Sequence, residues 1–206
     1  MPPGAGNLVG SRSKTIGVLA LQGAFAEHIH KLHTLNVETK AVRLPHELKD
    51  LDALIIPGGE STTIGKLAGT YHLVKPLRRF CKAKPVWGTC AGMIFMAQNA
   101  GVDQPLLQAM DIEVERNAFG RQVDSFVESL YLNMIEKGTE TPFPAVFIRS
   151  PKLIKTGAKV NVLARLSDGT AVAAQEGKLL VTAFHPELTE DHRLHQYFIH
   201  LIYSSN

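Results

Sequence analysis

Short, fully apolar runs alternate along this chain with longer stretches in which apolar residues return every three or four positions. Residues 15–21 (TIGVLAL) predict a buried strand, and residues 24–35 predict a helix, with Phe25, Ile29, Leu32 and Leu35 recurring at helical spacing. Residues 37–44 read as a second strand. Residues 53–56 (ALII) read as a third, closed by Pro57-Gly58-Gly59, after which Ser61 is placed to cap a helix over residues 62–68. A helix over 73–82 leads to a short apolar strand that ends before Cys90, and a helical pattern follows over 91–98. The rhythm then changes. Residues 112–115, 123–130, 145–148, 160–166, 171–175 and 179–184 predict strands with little helix between them, and residues 190–203 predict a closing helix. Strands alternating with helices imply an α/β fold, a single domain with a mostly parallel sheet flanked by helices. The later strands are expected to extend that sheet or form an antiparallel edge.

Composition adds limits to this picture. A chain of 206 residues, 45% hydrophobic and 20% charged, suits one compact core. The net charge is +3, but Lys and Arg are scattered among acids and form no stripe, so nucleic-acid binding is not expected. No apolar run approaches the roughly 18 residues of a membrane span, so none is expected. Two cysteines and no secretory apolar segment point to a reducing, cytoplasmic setting rather than a disulfide framework. Residues 1–14, rich in Gly, Pro and Ser, read as a disordered tail before a domain over 15–206.

The chemistry concentrates at strand ends. Cys90 lies in Val86-Trp87-Gly88-Thr89-Cys90-Ala91-Gly92, a cysteine version of the G-x-nucleophile-x-G elbow, strand before and helix after. Glycine on both sides lets the turn approach substrate, and the following helix start favours thiolate over thiol. Downstream, His185-Pro186-Glu187 offers an imidazole as base and a carboxylate two residues on to orient it. Gly58-Gly59-Glu60-Ser61 follows the third strand. In a parallel sheet all three segments fall at the carboxyl edge, where ligands bind. The remaining candidates are given packing roles. Cys81 is read as filling a helix face and Trp87 as core beside the elbow. His28, His30 and His33 lie at offsets of two and five, which do not share one helix face, so no zinc site is expected. His192 and His195 share a face that is read as polar surface.

Taken together, Gly17-Val18-Leu19-Ala20-Leu21-Gln22-Gly23-Ala24, Pro57-Gly58-Gly59-Glu60-Ser61-Thr62, Gly88-Thr89-Cys90-Ala91-Gly92 and Phe184-His185-Pro186-Glu187-Leu188 resemble the class I, or triad, glutamine amidotransferases, whose fold is flavodoxin-like. The narrower resemblance is to the glutaminase subunits of pyridoxal 5'-phosphate synthases. It rests on the segment from Glu115 to Phe126 (ERNAFGRQVDSF), on Val146-Phe147-Ile148-Arg149-Ser150-Pro151 and on Glu187-Leu188-Thr189-Glu190-Asp191-His192-Arg193. The likeness runs from about residue 15 to the last helix. Ser150 stands where alanine is usual in the family, and the first 14 residues have no counterpart in its compact bacterial members.

The resemblance implies a triad of Cys90, His185 and Glu187 that hydrolyses L-glutamine to glutamate and ammonia through a thioester, with no cofactor and no metal. Backbone N–H groups of Gly59 and Ala91 are the implied oxyanion hole. Gly58, Gly59, Glu60, Arg116, Ile148 and Arg149 are the implied glutamine pocket, the arginines facing the α-carboxylate and Glu60 the α-ammonium. The chain carries no P-loop or sugar-phosphate motif of its own, so its ammonia is expected to go to another protein. The resemblance names that partner as a (β/α)8-barrel synthase subunit that makes pyridoxal 5'-phosphate, in a complex of twelve plus twelve chains. The alternatives are another cysteine hydrolase of the same superfold, since fold alone does not separate these, or a silent regulatory subunit.

Overall fold

The computed structural model describes residues 14–116 and 125–204. The expected tail up to residue 13, the Asn117 to Asp124 part of the family-like segment and the start of the strand expected from 123 lie outside the described residues. Lys14, assigned to the tail by composition, is instead tied to the domain. Its Nζ lies 3.3 Å from Asp52 Oδ1, whose other oxygen accepts the Thr15 N–H.

The first half alternates as the apolar pattern predicts: β1 (Thr15–Leu19), α1 (Phe25–Thr34), β2 (Glu38–Val42), β3 (Ala53–Ile56), α2 (Ser61–Thr70), α3 (Val74–Ala83), β4 (Val86–Thr89) and α4 (Ala91–Met96). The second half is strand-rich: β5 (Ile112–Glu115), β6 (Ser125–Leu130), β7 (Phe143–Ile148), β8 (Lys152–Thr156), β9 (Asn161–Arg165), β10 (Ala171–Glu176) and β11 (Leu179–Thr182), before α5 (Arg193–Ser204). The main sheet has the order β2-β1-β3-β4-β11-β10-β8-β5, with β9 also on β10, while β6 and β7 form a separate antiparallel pair.

Pairing is parallel from β2 across to β11 and antiparallel beyond it. The change of direction follows from connection length. A helix carries the chain back to the starting edge and permits a parallel neighbour, whereas the two residues between β10 and β11 permit only a hairpin. The strands β3, β4 and β11 are buried at every residue, as parallel strands covered on both faces must be. Trp87, Phe95, Phe143, Phe147, Phe184 and Phe198 are the largest side chains in the core, and they span both halves.

Three expectations are corrected. Residues 152–156 form a strand that the pattern does not announce, because only Leu153 of KLIKT is buried and Lys152 and Lys155 stay at least partly in water. The helix after Cys90 stops at Met96 rather than Gln98. The next residues join the sheet instead, Gln98 N–H donating to the Ile112 carbonyl and Val114 N–H to that of Asn99. The cap of α2 is Glu60, not Ser61. Its carboxylate accepts the N–H groups of Thr62 and Thr63 at 3.1 and 2.7 Å, while the Ser61 hydroxyl turns to Gln104.

Glycine is required where α4 crosses β3. A Cβ on Gly92 would lie 1.9 Å from the Ile56 carbonyl oxygen, so a side chain there forces the elbow helix off the sheet. By contrast, nothing lies within 4 Å of the corresponding point on Gly69, on the exposed face of α2. Gly92→Ala should therefore lower unfolding free energy by about 1–3 kcal/mol, while Gly69→Ala should raise it by about 0.4–1 kcal/mol. Thermal or denaturant unfolding of the two variants beside the wild-type protein checks the opposite signs.

Candidate active site

Cys90 occupies the corner between β4 and α4 with φ 47° and ψ −105°, a left-handed region costly for a residue with a Cβ. The corner is pinned from the neighbouring strand, since the Cys90 N–H donates to the Thr182 carbonyl at 2.8 Å. The sulfur is nearly buried and lies 3.9 Å from the Ile148 carbonyl. Ala91 begins the helix, so its N–H has no intrahelical acceptor.

His185 follows β11, three residues after Thr182, and its own N–H donates to the Val146 carbonyl at 2.8 Å. Its Nδ1 is 2.7 Å from Glu187 Oε1, which leaves Nε2 for the Cys90 sulfur. Burial works to lower the His185 pKa, but the hydrogen bond with Cys90 and that with Glu187 outweigh it and hold the imidazole at about 10. Glu187 sits in a short turn of 3-10 helix, Pro186–Leu188. Burial would raise its carboxyl, yet the adjacent His28 and the hydrogen bond from His185 win, and it lies below the usual carboxylate range.

The loop after β3 is fastened on two sides. The Gly58 carbonyl accepts the Ala24 N–H at 3.0 Å, and the Glu60 N–H donates to Gln22 Oε1 at 2.7 Å. A trans, planar peptide then points the Gly59 N–H away from the Gly23–Ala24 turn. Gly23 has φ 97° and a Cβ there would overlap the Gly58 carbonyl at 1.8 Å, so this close approach depends on glycine. Burial acts to raise the Glu60 pKa, but the Thr63 hydroxyl and the Thr63 and Thr62 N–H groups hold its carboxyl at about 2. Arg116 closes the arrangement. Its guanidinium reaches Glu60 Oε1 at 3.2 Å, Thr62 Oγ1 at 3.2 Å and Gln104 Oε1 at 3.1 Å.

A cavity of about 260 Å³ joins these groups, lined by Gln22, Gly59, Glu60, Ser61, Cys90, Ile94, Arg116, Ile148, Arg149 and His185. Seven of the ten residues expected from the sequence are therefore on its wall. Glu187, Gly58 and Ala91 are not: Glu187 is buried against His185, and Gly58 packs so closely on the imidazole that a Cβ would lie 2.3 Å from Cε1. Arg149 follows β7 with φ 43°, and the Ser150 hydroxyl accepts the Ile148 N–H at 3.1 Å, tying the bend on which Arg149 projects. A larger cleft, about 520 Å³, passes Cys81, but burial pushes that thiol up to about 12 and leaves no thiolate at neutral pH. Among the described residues no group of three or more His, Cys, Asp or Glu side chains is arranged to hold a metal ion.

Sequence reasoning misplaced one histidine and missed the role of another. His195, expected on a polar surface, is fully buried, and so is His28. The signal existed in the spacing, because His28 stands four residues before Leu32, and His195 three before Phe198, each on its helix's buried face. His28 Nε2 lies 3.3 Å from both Glu187 Oε2 and Thr89 Oγ1, and its Nδ1 lies 3.1 Å from His195 Nε2.

Residues 18–204 match the model of a family described as the SNO glutamine amidotransferase family. The chain is 55% identical over 190 residues to the pyridoxal 5'-phosphate synthase subunit PdxT of Dehalococcoides mccartyi, covering 90% of this chain and 96% of that protein. It is 54% identical over 192 residues to the protein of the same name from Herpetosiphon aurantiacus, covering 91% of this chain and all of the other. Among solved structures, one described as a glutamine amidotransferase superposes with a TM-score of 0.84 at 48% identity, covering 91% of this chain and 98% of that one. A putative GMP synthase subunit from Thermoplasma acidophilum, 17% identical with a TM-score of 0.69 over 95% of this chain and 96% of that one, shares the fold.

The geometry sets an expectation for protonation. The His185 ring should remain imidazolium through neutral pH and release its proton near 10, and in Cys90→Ala, with one of its two partners removed and burial unchanged, it should do so at lower pH. Ring-nitrogen NMR of the two proteins across that range checks this; an imidazole that is neutral at pH 7 in the wild-type protein counts against it.

Proposed function

From the premise that this chain belongs to the SNO glutamine amidotransferase family, we propose that it hydrolyses L-glutamine with Cys90, His185 and Glu187 as its catalytic triad and passes the ammonia to a synthase subunit. The observation that carries the reading is the 2.7 Å contact from His185 Nδ1 to Glu187, with the other ring nitrogen left to the hydrogen bond with Cys90, at the wall of a cavity bearing Arg116, Arg149 and Glu60.

The Cys90 sulfur attacks the side-chain amide carbon as the thiolate of a thiolate–imidazolium pair with His185, and the C=O bond opens to an oxyanion. The N–H groups of Ala91 and Gly59 stabilise that charge; each such donor is worth about 2.7–4 kcal/mol in comparable sites. His185, already imidazolium, gives its proton to the departing nitrogen, so ammonia leaves and the acyl group remains as a thioester. The imidazole, now neutral, takes a proton from water as the oxygen adds to the same carbon. Collapse expels the Cys90 thiolate, frees glutamate and restores the imidazolium. Glu187 keeps Nδ1–H in place throughout, so that Nε2 is the nitrogen that moves protons.

Selection of free glutamine follows from charge. Its α-carboxylate and α-ammonium are opposite charges on one carbon, and the cavity wall carries Glu60 and Arg116 as a matched pair 3.2 Å apart, with Arg149 beside it. Held at about 2, Glu60 is a carboxylate throughout the neutral range. An amide inside a peptide lacks both charges, which separates this reading from a cysteine peptidase on the same fold. The complete Cys90, His185 and Glu187 set argues against a silent subunit.

The relatives are named as subunits of pyridoxal 5'-phosphate synthase, and ammonia released to water is wasted. The synthase subunit is proposed to be a (β/α)8 barrel, assembled with this chain as twelve plus twelve. The Gly58–Gly59 peptide is a place where docking can act. Turning it over breaks the 3.0 Å bond from Ala24 N–H and reverses the Gly59 N–H, and glycine on both sides leaves that turn sterically open.

Glutamate release measured with the synthase subunit present should vanish in Cys90→Ala and His185→Asn and largely persist in Cys81→Ser. A diazo-oxo-norleucine adduct should map to Cys90 by mass spectrometry, and an adduct confined to Cys81 rejects the triad. Arg116→Ala and Arg149→Ala should raise KM for glutamine more than they lower kcat, because the α-carboxylate is remote from the reacting amide and its contact is held equally before and during the reaction. KM unchanged in both removes them from the pocket.

A further inference from the structure

The geometry points to His28 as a positioning residue for the reaction: with His195 behind it, it extends the triad into a chain Cys90–His185–Glu187–His28–His195 that keeps the Glu187 carboxylate oriented and ionised. This inference rests on the triad reading above and concerns the carboxylate oxygen that the triad leaves over.

Glu187 presents two oxygens to the protein interior and His185 takes one. The other, Oε2, is buried and receives no well-aligned hydrogen bond among the described residues. A buried carboxylate oxygen without a donor is costly, and its cheapest escape is to take up a proton. What stands against that escape is His28 Nε2 at 3.3 Å from Oε2. The groups around His28 are Glu187 and His185 from the segment after β11, Thr89 and Trp87 from β4, His195 from α5 and Glu27 on its own helix. Burial drives the His28 imidazole below its ordinary value, against the pull of Glu187, so the ring carries one proton. The location of that proton decides what Glu187 meets.

His195 fixes the location. Its Nε2 and His28 Nδ1 are 3.1 Å apart and share one hydrogen. If His28 donated it, Nε2 would be bare, accepting from the Thr89 hydroxyl with its lone pair 3.3 Å from the Glu187 oxygen and no proton to offer it. If His195 donates it, His28 carries its proton on Nε2, hydrogen-bonded to the Thr89 hydroxyl and 3.3 Å from Glu187 Oε2, close enough for its positive end to act on the carboxylate without a well-aligned bond. The second arrangement makes His195 Nδ1 the bare nitrogen, and that atom is indeed buried with no hydrogen-bond partner among the described residues. A lone pair left in an apolar pocket costs less than a repulsion against a carboxylate, so the chain of tautomers runs one way. The His195 ring is wedged edge-on against Trp87 at 5.0 Å between centroids, which holds it in register with His28. A neutral donor is suited to this task. It supports the anion through an N–H dipole, without the full positive charge that would compete with the His185 imidazolium for the carboxylate.

His28→Leu removes the donor, and His28→Gln keeps an N–H able to reach the same oxygen. Both are tested for folding by circular dichroism, then assayed for glutamate release and for iodoacetamide alkylation of Cys90 as a function of pH. In His28→Leu, kcat is expected to fall about tenfold with KM for glutamine little changed, and the acid limb of both profiles to move up by about one pH unit. His28→Gln is expected to return the limb towards wild type. His195→Phe, which keeps a ring against Trp87 but frees the His28 tautomer, should shift the limb in the same direction and decides the matter if His28→Leu does not fold. Acid limbs unmoved in the folded variants, or a Gln variant as impaired as the Leu variant, overturn the proposal and leave His28 as packing. Glutaminase activity that survives in Cys90→Ala sinks the triad reading instead, so the two failures are told apart.

Discussion

A carboxylate is held in the interior of this protein, and much of the surrounding architecture answers the cost of putting it there. Glu187 is 5% exposed, in a turn between the last strand and the last helix. Removed from water, an ionised carboxyl would shed its charge unless partners replaced its hydration. His185 replaces part of it at Oε1, and with burial working against it, the hydrogen bonds to Cys90 and to Glu187 let the ring keep its own proton to about 10. Each also leans on a further neighbour, His185 on Cys90 and Glu187 on His28. Because the imidazolium and the carboxylate stabilise each other, the site can keep an acid beside a cysteine at neutral pH, which a histidine in water, near 6.5, does not do.

Sheet register sets that pair beside Cys90. The strands β4 and β11 are parallel neighbours with Thr89 opposite Thr182, so the residues just beyond them, Cys90 and the segment leading to His185, leave the sheet side by side. The Thr182 carbonyl also fixes the Cys90 backbone, holding a φ of 47° whose cost is about 1–3 kcal/mol. The antiparallel part of the fold adds the third side. Through the hydrogen bond from His185 N–H to Val146, the β6–β7 pair brings Ile148 and Arg149 to the cavity opposite the loop that carries Glu60. Glu60 serves two structural ends at once, since its capping bonds to α2 are also what hold it ionised beside Arg116.

How much of this was legible depended on the range of the forces involved. Strands buried on both faces announce themselves as apolar runs, and ALII at 53–56 was bounded to the residue. The elbow was legible because a tight strand-to-helix corner needs glycine on either side of the residue it carries, and that need is local. KLIKT was not, because one buried leucine among lysines has no periodicity to read. The Glu60 cap was missed for a similar reason, as serine is the commoner capping residue and only the bent backbone shows which oxygen reaches the free N–H groups.

The sequence by itself determined the strand and helix alternation, the placing of Cys90, Gly59 and His185 at strand ends and the family to which these motifs belong, since each is written in spacings of a few residues. Tertiary structure alone decided that His28 and His195, 167 positions apart, meet behind Glu187. A histidine on an amphipathic helix reads as surface until the partners that satisfy its ring nitrogens are brought to it, and here those partners come from β4, from α5 and from the turn after β11. Burial of polar groups is a property of the whole arrangement, and no stretch of chain carries it alone.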